Sequence, residues 1–199
     1  MNTLSYLFLA LNIYGFGFSE IQNSGPNIVN IELINTDTLS YDNGEFYSVI
    51  EIPNKSKDEL FKKSKEWIYR TYKSGDAVID IADAETSKIN AQGITQSVIY
   101  KNTLAKVDGG KFKYYLTIFA KDGKVKILFD NITHLKGGMV QMSDGSRFTD
   151  DFPSTWGKMG KSQSAKQWPL MKKQAAVEFN LILKSFEDFL TKEDKHSDF

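Results

Sequence analysis

The chain predicts an α+β fold in which an antiparallel sheet carries two amphipathic helices on one face. Three stretches predict it: a hairpin around Asp122-Gly123, and helically spaced apolar stripes at residues 56–73 and 165–192. Two amphipathic helices need an apolar surface to bury against, and one face of an antiparallel sheet supplies it while the other stays open.

The hairpin spans Lys111 to Leu135, two apolar runs on either side of Asp122-Gly123. Asp-Gly is a strong signal for a two-residue turn with both central residues at φ > 0. The register then follows: Lys121 faces Lys124, Ala120 faces Val125, Ile118 faces Ile127 and Leu116 faces Phe129. Side chains alternate across a strand. Phe112, Tyr114, Leu116, Ile118, Ala120, Val125, Ile127 and Phe129 therefore make a core face. Lys113, Tyr115, Thr117, Phe119, Lys126, Leu128 and Asp130 make a mixed one. The alternation slips at Asn131, which predicts a strand end or bulge.

The first nineteen residues carry no charged side chain, and small residues (Gly15, Gly17, Ser19) close the apolar run from Leu4 to Phe18. This reads as a signal peptide over residues 1–19, with cleavage after Gly17 or Ser19 and a periplasmic or secreted product. The run is shorter than the ~20 residues of a membrane span. Residues 20–45 read as an extension with short strands, Asn27–Ile34 and Thr38–Tyr41. Asp42-Asn43-Gly44 turns the second of these into the strand Phe46–Ile52, which ends at Pro53.

Ser56 and Glu59 have capping-box spacing. Leu60, Phe61, Ser64, Trp67, Ile68 and Tyr72 then share one helical stripe, and the helix ends near Ser74-Gly75. Lys88–Ile94 and Gln96–Ala105 read as two more strands, and Asp108-Gly109-Gly110 turns the chain into the central hairpin. Residues 135–166, rich in Gly, Ser and Lys, read as a long loop. From Ala165 to Lys192, Trp168, Met171, Ala175, Phe179, Ile182, Phe186 and Phe189 recur every three or four residues, with Pro169 in the first helical turn. Residues 193–199 are a charged tail. The expected domain is 46–192.

Composition narrows the function. Twenty-five basic residues balance twenty-five acidic ones, which opposes a nucleic-acid partner, since phosphate binding wants a basic field. The chain has no cysteine, so thiolate catalysis, disulfides and cysteine-ligated zinc are excluded.

The strand ending before Lys55–Ile68, the hairpin Tyr114–Thr133 and the C-terminal helix resemble a family of exported bacterial proteins described only as a domain of unknown function with a TATA-binding-protein-like (TBP-like) fold. The resemblance runs from about Phe46 to Lys192. It implies a curved sheet with the helices on its convex side and implies no activity.

No catalytic or metal constellation is spaced for its chemistry. His134 and His196 lack spaced partners. Asp76, Asp80, Asp83 and Glu85 lack a calcium-loop pattern and read as a solvated acidic loop, as do Asp150 and Asp151. Trp67 and Trp168 read as core anchors. The expectation is a non-enzymatic binding module without cofactor. It uses the open sheet face (Lys113, Tyr115, Phe119, Lys126) and the 135–166 loop with Trp156. Its partner is an envelope protein, a peptide or a glycan, with neither nucleic acid nor an integral membrane span involved. The alternative is a structural subunit of a homo-oligomer or envelope assembly joined through the same face.

Overall fold

The computed structural model describes residues 39–72, 78–96, 99–101, 106–135, 145–150 and 157–192. The expected signal peptide, the strand at 27–34, Trp156, His196 and the tail lie outside these residues.

Eight strands and two helices are described: β1 (Ser40–Asp42), β2 (Glu45–Glu51), α1 (Lys57–Thr71), β3 (Ile79–Asp83), β4 (Lys88–Ile94), β5 (Ile99–Lys101), β6 (Lys106–Asp108), β7 (Lys111–Lys121), β8 (Lys124–Leu135) and α2 (Gly157–Thr191). The main sheet is antiparallel and six-stranded, in the order β1-β2-β8-β7-β4-β3, and β5 and β6 form a separate two-stranded pair. Among the described residues the sheet starts at Ser40, so the expected domain boundary at Phe46 cuts through its first described hairpin. Leu39 is fully buried. Asn43 and Gly44 take φ of 48° and 88°, as a two-residue hairpin turn requires.

The central hairpin has the expected register: Lys121 pairs with Lys124, Ala120 with Val125, Ile118 with Ile127 and Leu116 with Phe129. The turn itself differs. Gly123 has φ 75°, but Asp122 is not among the residues with positive φ, so the signs are those of a type II turn. The cause is external. The segment leaving β2 grips the tip: Gly123 N–H donates to Lys55 O (2.9 Å) and Ile52 N–H to Gly123 O (2.8 Å). Lys57 N–H donates to Asp122 Oδ1 at 2.7 Å. At Asn131 the slip is a bulge with φ 51°, and β8 continues to Leu135.

Both helices cover the face carrying Phe112, Tyr114, Leu116, Ile118, Val125, Ile127 and Phe129, all buried. In α1, Ser56 Oγ accepts from Glu59 N–H (3.3 Å) at the N-terminus. Its buried stripe is Leu60, Ser64, Trp67 and Ile68, with Lys63 beside it. The Lys63 ammonium donates to Lys192 O (3.1 Å) where α2 ends, satisfying a carbonyl the helix leaves unpaired. Trp67 stacks on Phe186 of α2 at 4.7 Å between ring centroids. Phe179 of α2 touches Phe46, Tyr114 and Phe129 at 5.1, 5.2 and 5.1 Å, so one side chain joins the helix to three adjacent strands.

Three expectations are corrected. The stretch 96–105 is not one strand: β5 and β6 fold back on each other instead. Residues 135–166 are not one loop. Helix α2 already begins at Gly157, which places Pro169 well inside it, where a proline removes one intrahelical hydrogen bond. Residues 145–150 return to the sheet, with Arg147 bridging to Thr133. Phe148 is 1% exposed and packs on Phe46 and Phe112 at 5.4 and 5.6 Å. This segment therefore closes the core side and does not fold over the open face.

Candidate functional site

The open face is a surface of side-chain rows, set by the strand order. One row reads Tyr47, Leu128, Thr117, Asn90, Ile81 and the next reads Val49, Lys126, Phe119, Lys88, Asp83. Towards the far end from the turn lie Asp130, Tyr115 and Gln92, then Thr133, Lys113 and Ile94. The structure thus brings Lys113, Tyr115, Phe119 and Lys126 onto one face, as expected.

What the sequence does not show is how lysines and rings pair. The Lys126 ammonium lies over the Tyr47 ring (5.1 Å), although Lys126 and Phe119 are opposite each other in the ladder. Phe119 is covered instead by Lys88 from β4 (5.3 Å), and Tyr115 by Lys113 (5.6 Å). A cation over an aromatic face is attracted by the ring quadrupole. The rings therefore present ammonium groups to solvent and are not bare stacking platforms. Lys88 is missed by a reading confined to the hairpin, because it needs the β7–β4 pairing. Asp130 adds a contrasting spot: partial burial and the nearby Glu45 carboxylate push its carboxyl up, opposed by Lys88.

Both ends of this sheet order are blunted. Edge β1 is three residues long, and edge β3 carries a register irregularity between Ile79 and Ile81 and two aspartates. Short, bulged or charged edges resist addition of a further strand. Among the described residues the face, not an edge, is the accessible surface of the sheet.

The other sequence candidates go elsewhere. His134 is fully buried, donates from Nε2 to Gly109 O (2.7 Å), and lies edge-on between Phe112 and Trp168. It is a core histidine that ties β8 to the turn before β7. Trp168 is also core, with its indole N–H on Asp150 O (2.8 Å). The Asp83 carboxylate accepts from Glu85 N–H, Thr86 N–H and Thr86 Oγ1, and these bonds hold its carboxyl below its ordinary value. Asp80 accepts from Gln92 Nε2 (3.1 Å). Among the described residues no group of three or more His, Cys, Asp or Glu is placed to hold a metal ion.

One partly buried polar cluster escaped the sequence reading. Tyr72 and Tyr114 share a hydrogen bond between hydroxyls (3.0 Å), and the Glu178 carboxylate of α2 accepts the Gln96 N–H with both oxygens at 3.0 Å. Burial pushes Tyr72 up to about 12 and Tyr114 well up as well. Burial also raises Glu178, against the opposing pull of the Gln96 N–H and Lys111. A carboxyl whose folded pKa exceeds its unfolded one binds protons more readily when folded, so stability falls as pH rises through that interval. Glu178→Gln is expected to remove this slope, which sets in as pH rises past the ordinary glutamate range, read as unfolding midpoint against pH. An unchanged slope would show that Glu178 does not carry it.

The geometry defines a class: an open-faced α+β sandwich, helices on one side of a curved six-stranded sheet. Residues 46–134 match the model of the family described as "Domain of unknown function (DUF4468) with TBP-like fold". The match ends in β8, short of the C-terminal helix included in the expected resemblance. Two solved structures are similar. A DUF4468 family protein from Bacteroides ovatus has TM-score 0.57 at 13% identity, covering 83% of this chain and 98% of that one. A TBP-like protein from Parabacteroides distasonis has TM-score 0.51 at 19% identity, covering 77% and 97%. At these identities the likeness is one of fold. No curated protein matches the chain. No helix among the described residues is long and apolar enough to cross a membrane.

Proposed function

We propose that this protein is an exported, non-enzymatic binding module whose open sheet face takes an acidic polypeptide segment of a partner outside the cytoplasm. The observation that carries the reading is the set of lysine-covered rings: Lys126 on Tyr47, Lys88 on Phe119 and Lys113 on Tyr115. An ammonium held over a ring offers positive charge beside apolar surface, which suits carboxylates interspersed with apolar side chains. Neutral sugars stack on bare rings and would find these covered. Val49, Ile81 and Ile94 are 51, 56 and 55% exposed and extend the same face with apolar contact. Of the 135–166 segment, residues 145–150 pack on the core side and do not cover this face. Export is supported by the uncharged, apolar first nineteen residues and the small residues near the end of the run.

The test uses chain recovered from the periplasm or medium of an expressing bacterium, whose first residue, Phe18 or Glu20, reads the export half. A fluorescein-labelled peptide of alternating Glu and Tyr is titrated in at low salt, with alginate and neutral dextran as competitors. Peptide binding is expected to weaken with salt, as exposed charge pairs are screened. Tyr115→Ala/Phe119→Ala is expected to weaken it about 10-fold or more while keeping cooperative unfolding. No binding at millimolar peptide, or displacement by dextran, would refute the reading. Loss of cooperative unfolding in the double variant would make these rings core.

A further inference from the structure

Helix α2 has a second apolar face. Its buried side, Trp168, Met171, Ala175, Phe179, Leu183, Phe186 and Leu190, is used against the sheet and α1. On the opposite side Leu170, Val177 and Leu181 are 44, 53 and 51% exposed. With Gln174, Lys184 and Asp188, also exposed, they recur at alternating intervals of four and three, the spacing of a coiled-coil seam. A domain that had finished burying this helix would show polar residues there, as α1 does with Lys62, Glu66 and Arg70.

The charges of α2 point to what covers the seam. From Gly157 to Lys173 the helix contains Lys158, Lys161, Lys166, Lys172 and Lys173 and no acidic residue, whereas its C-terminal part holds Glu178, Glu187 and Asp188 against Lys184. Neither the first turn has an acidic residue nor the last turn a basic one. This distribution opposes the helix macrodipole, which favours anions at the N-terminus and cations at the C-terminus. A neighbouring α2 laid antiparallel corrects both ends at once. It sets the lysine-rich half beside Glu187 and Asp188 and brings Leu170 of one helix to Leu181 of the other.

We infer that two copies of this chain associate through antiparallel α2 helices, on a two-fold axis passing between Gln174 and Val177. The interface is isologous and lies on the opposite side of the molecule from the open sheet face. Each dimer therefore presents two open faces, and an acidic partner with repeated segments is held bivalently. The inference does not depend on the binding role of the sheet face.

The experiment is sedimentation velocity of the chain from 1 to 100 µM, with Val177→Glu/Leu181→Glu alongside. A monomer–dimer equilibrium is expected, weakened about 100-fold or more by the double variant, since four buried apolar side chains per dimer become charged. Because the chain has no cysteine, single cysteines report geometry in an otherwise unaltered protein. Gln174→Cys is expected to oxidise to a disulfide-linked dimer, and Leu170→Cys and Leu181→Cys, far from the axis, are not. A monomer at 100 µM, a dimer that survives the double variant, or crosslinking at all three positions would each overturn the inference.

Discussion

Phe179→Ala is expected to lower the unfolding free energy by about 3–5 kcal/mol, the range for an aromatic removed from a core that collapses only partly. Phe179 is fully buried and lies within 5.1–5.2 Å, centroid to centroid, of Phe46 on β2, Tyr114 on β7 and Phe129 on β8. Its loss opens a cavity at the point where the helix is fastened to the sheet, and three rings cannot all move in to fill it. The midpoint of thermal unfolding should fall by roughly 10–15 °C for a domain of this size. Phe179→Leu, which keeps most of the volume, should lose less than half as much. Leu181→Ala, two residues on and exposed, should stay within about 0.5 kcal/mol in the monomer. Equal losses at positions 179 and 181 would mean that α2 is not held by this face.

That helix also shows what a sequence reveals and what it hides. The buried side of α2 was legible from Trp168 onward, because Trp, Met, Phe and Leu at intervals of three and four have one physical reading. Its first turns were not, because Gly157, Gly160 and the Ser-Lys-Gln run carry no periodic signal and Pro169 imitates a start. The central hairpin was legible to the residue, since a two-residue turn leaves no freedom of register. The φ of Asp122 was not, because it is set by Lys55, Ile52 and Lys57 bonding to the tip from another element. Phe148 gave no signal as a lone aromatic among polar neighbours. It reaches the core only because β8 continues past its bulge and pairs with the returning chain. On the open face the residue types were legible but their partners were not: which lysine covers which ring depends on strand order and on side-chain rotamers, and of the two lysines opposite Phe119, Lys126 on β8 and Lys88 on β4, it is Lys88 that covers it.

The same dependence on neighbours makes Gly93→Ala the second large effect. Gly93 pairs with Tyr114 across β4 and β7, and a Cβ there would stand 2.2 Å from the Tyr114 Cζ and 2.3 Å from its hydroxyl oxygen. The glycine is required for space, since its φ is not in the left-handed region. A ring can sometimes swing aside, but this one is 1% exposed. It is flanked by Phe129 and Phe179 at 5.7 and 5.2 Å and held through its hydroxyl by Tyr72. Displacing it breaks a part-buried hydrogen bond as well as packing, so the cost should reach the upper end of overpacking losses, about 3 kcal/mol. The decisive measurement is a double-mutant cycle. Tyr114→Ala alone should cost about 3–5 kcal/mol, and Gly93→Ala added to it should cost no more than about 1 kcal/mol, because the clashing ring is gone. A Gly93→Ala loss of the same size in both backgrounds would place the strain in the β4 backbone and not in the contact with Tyr114.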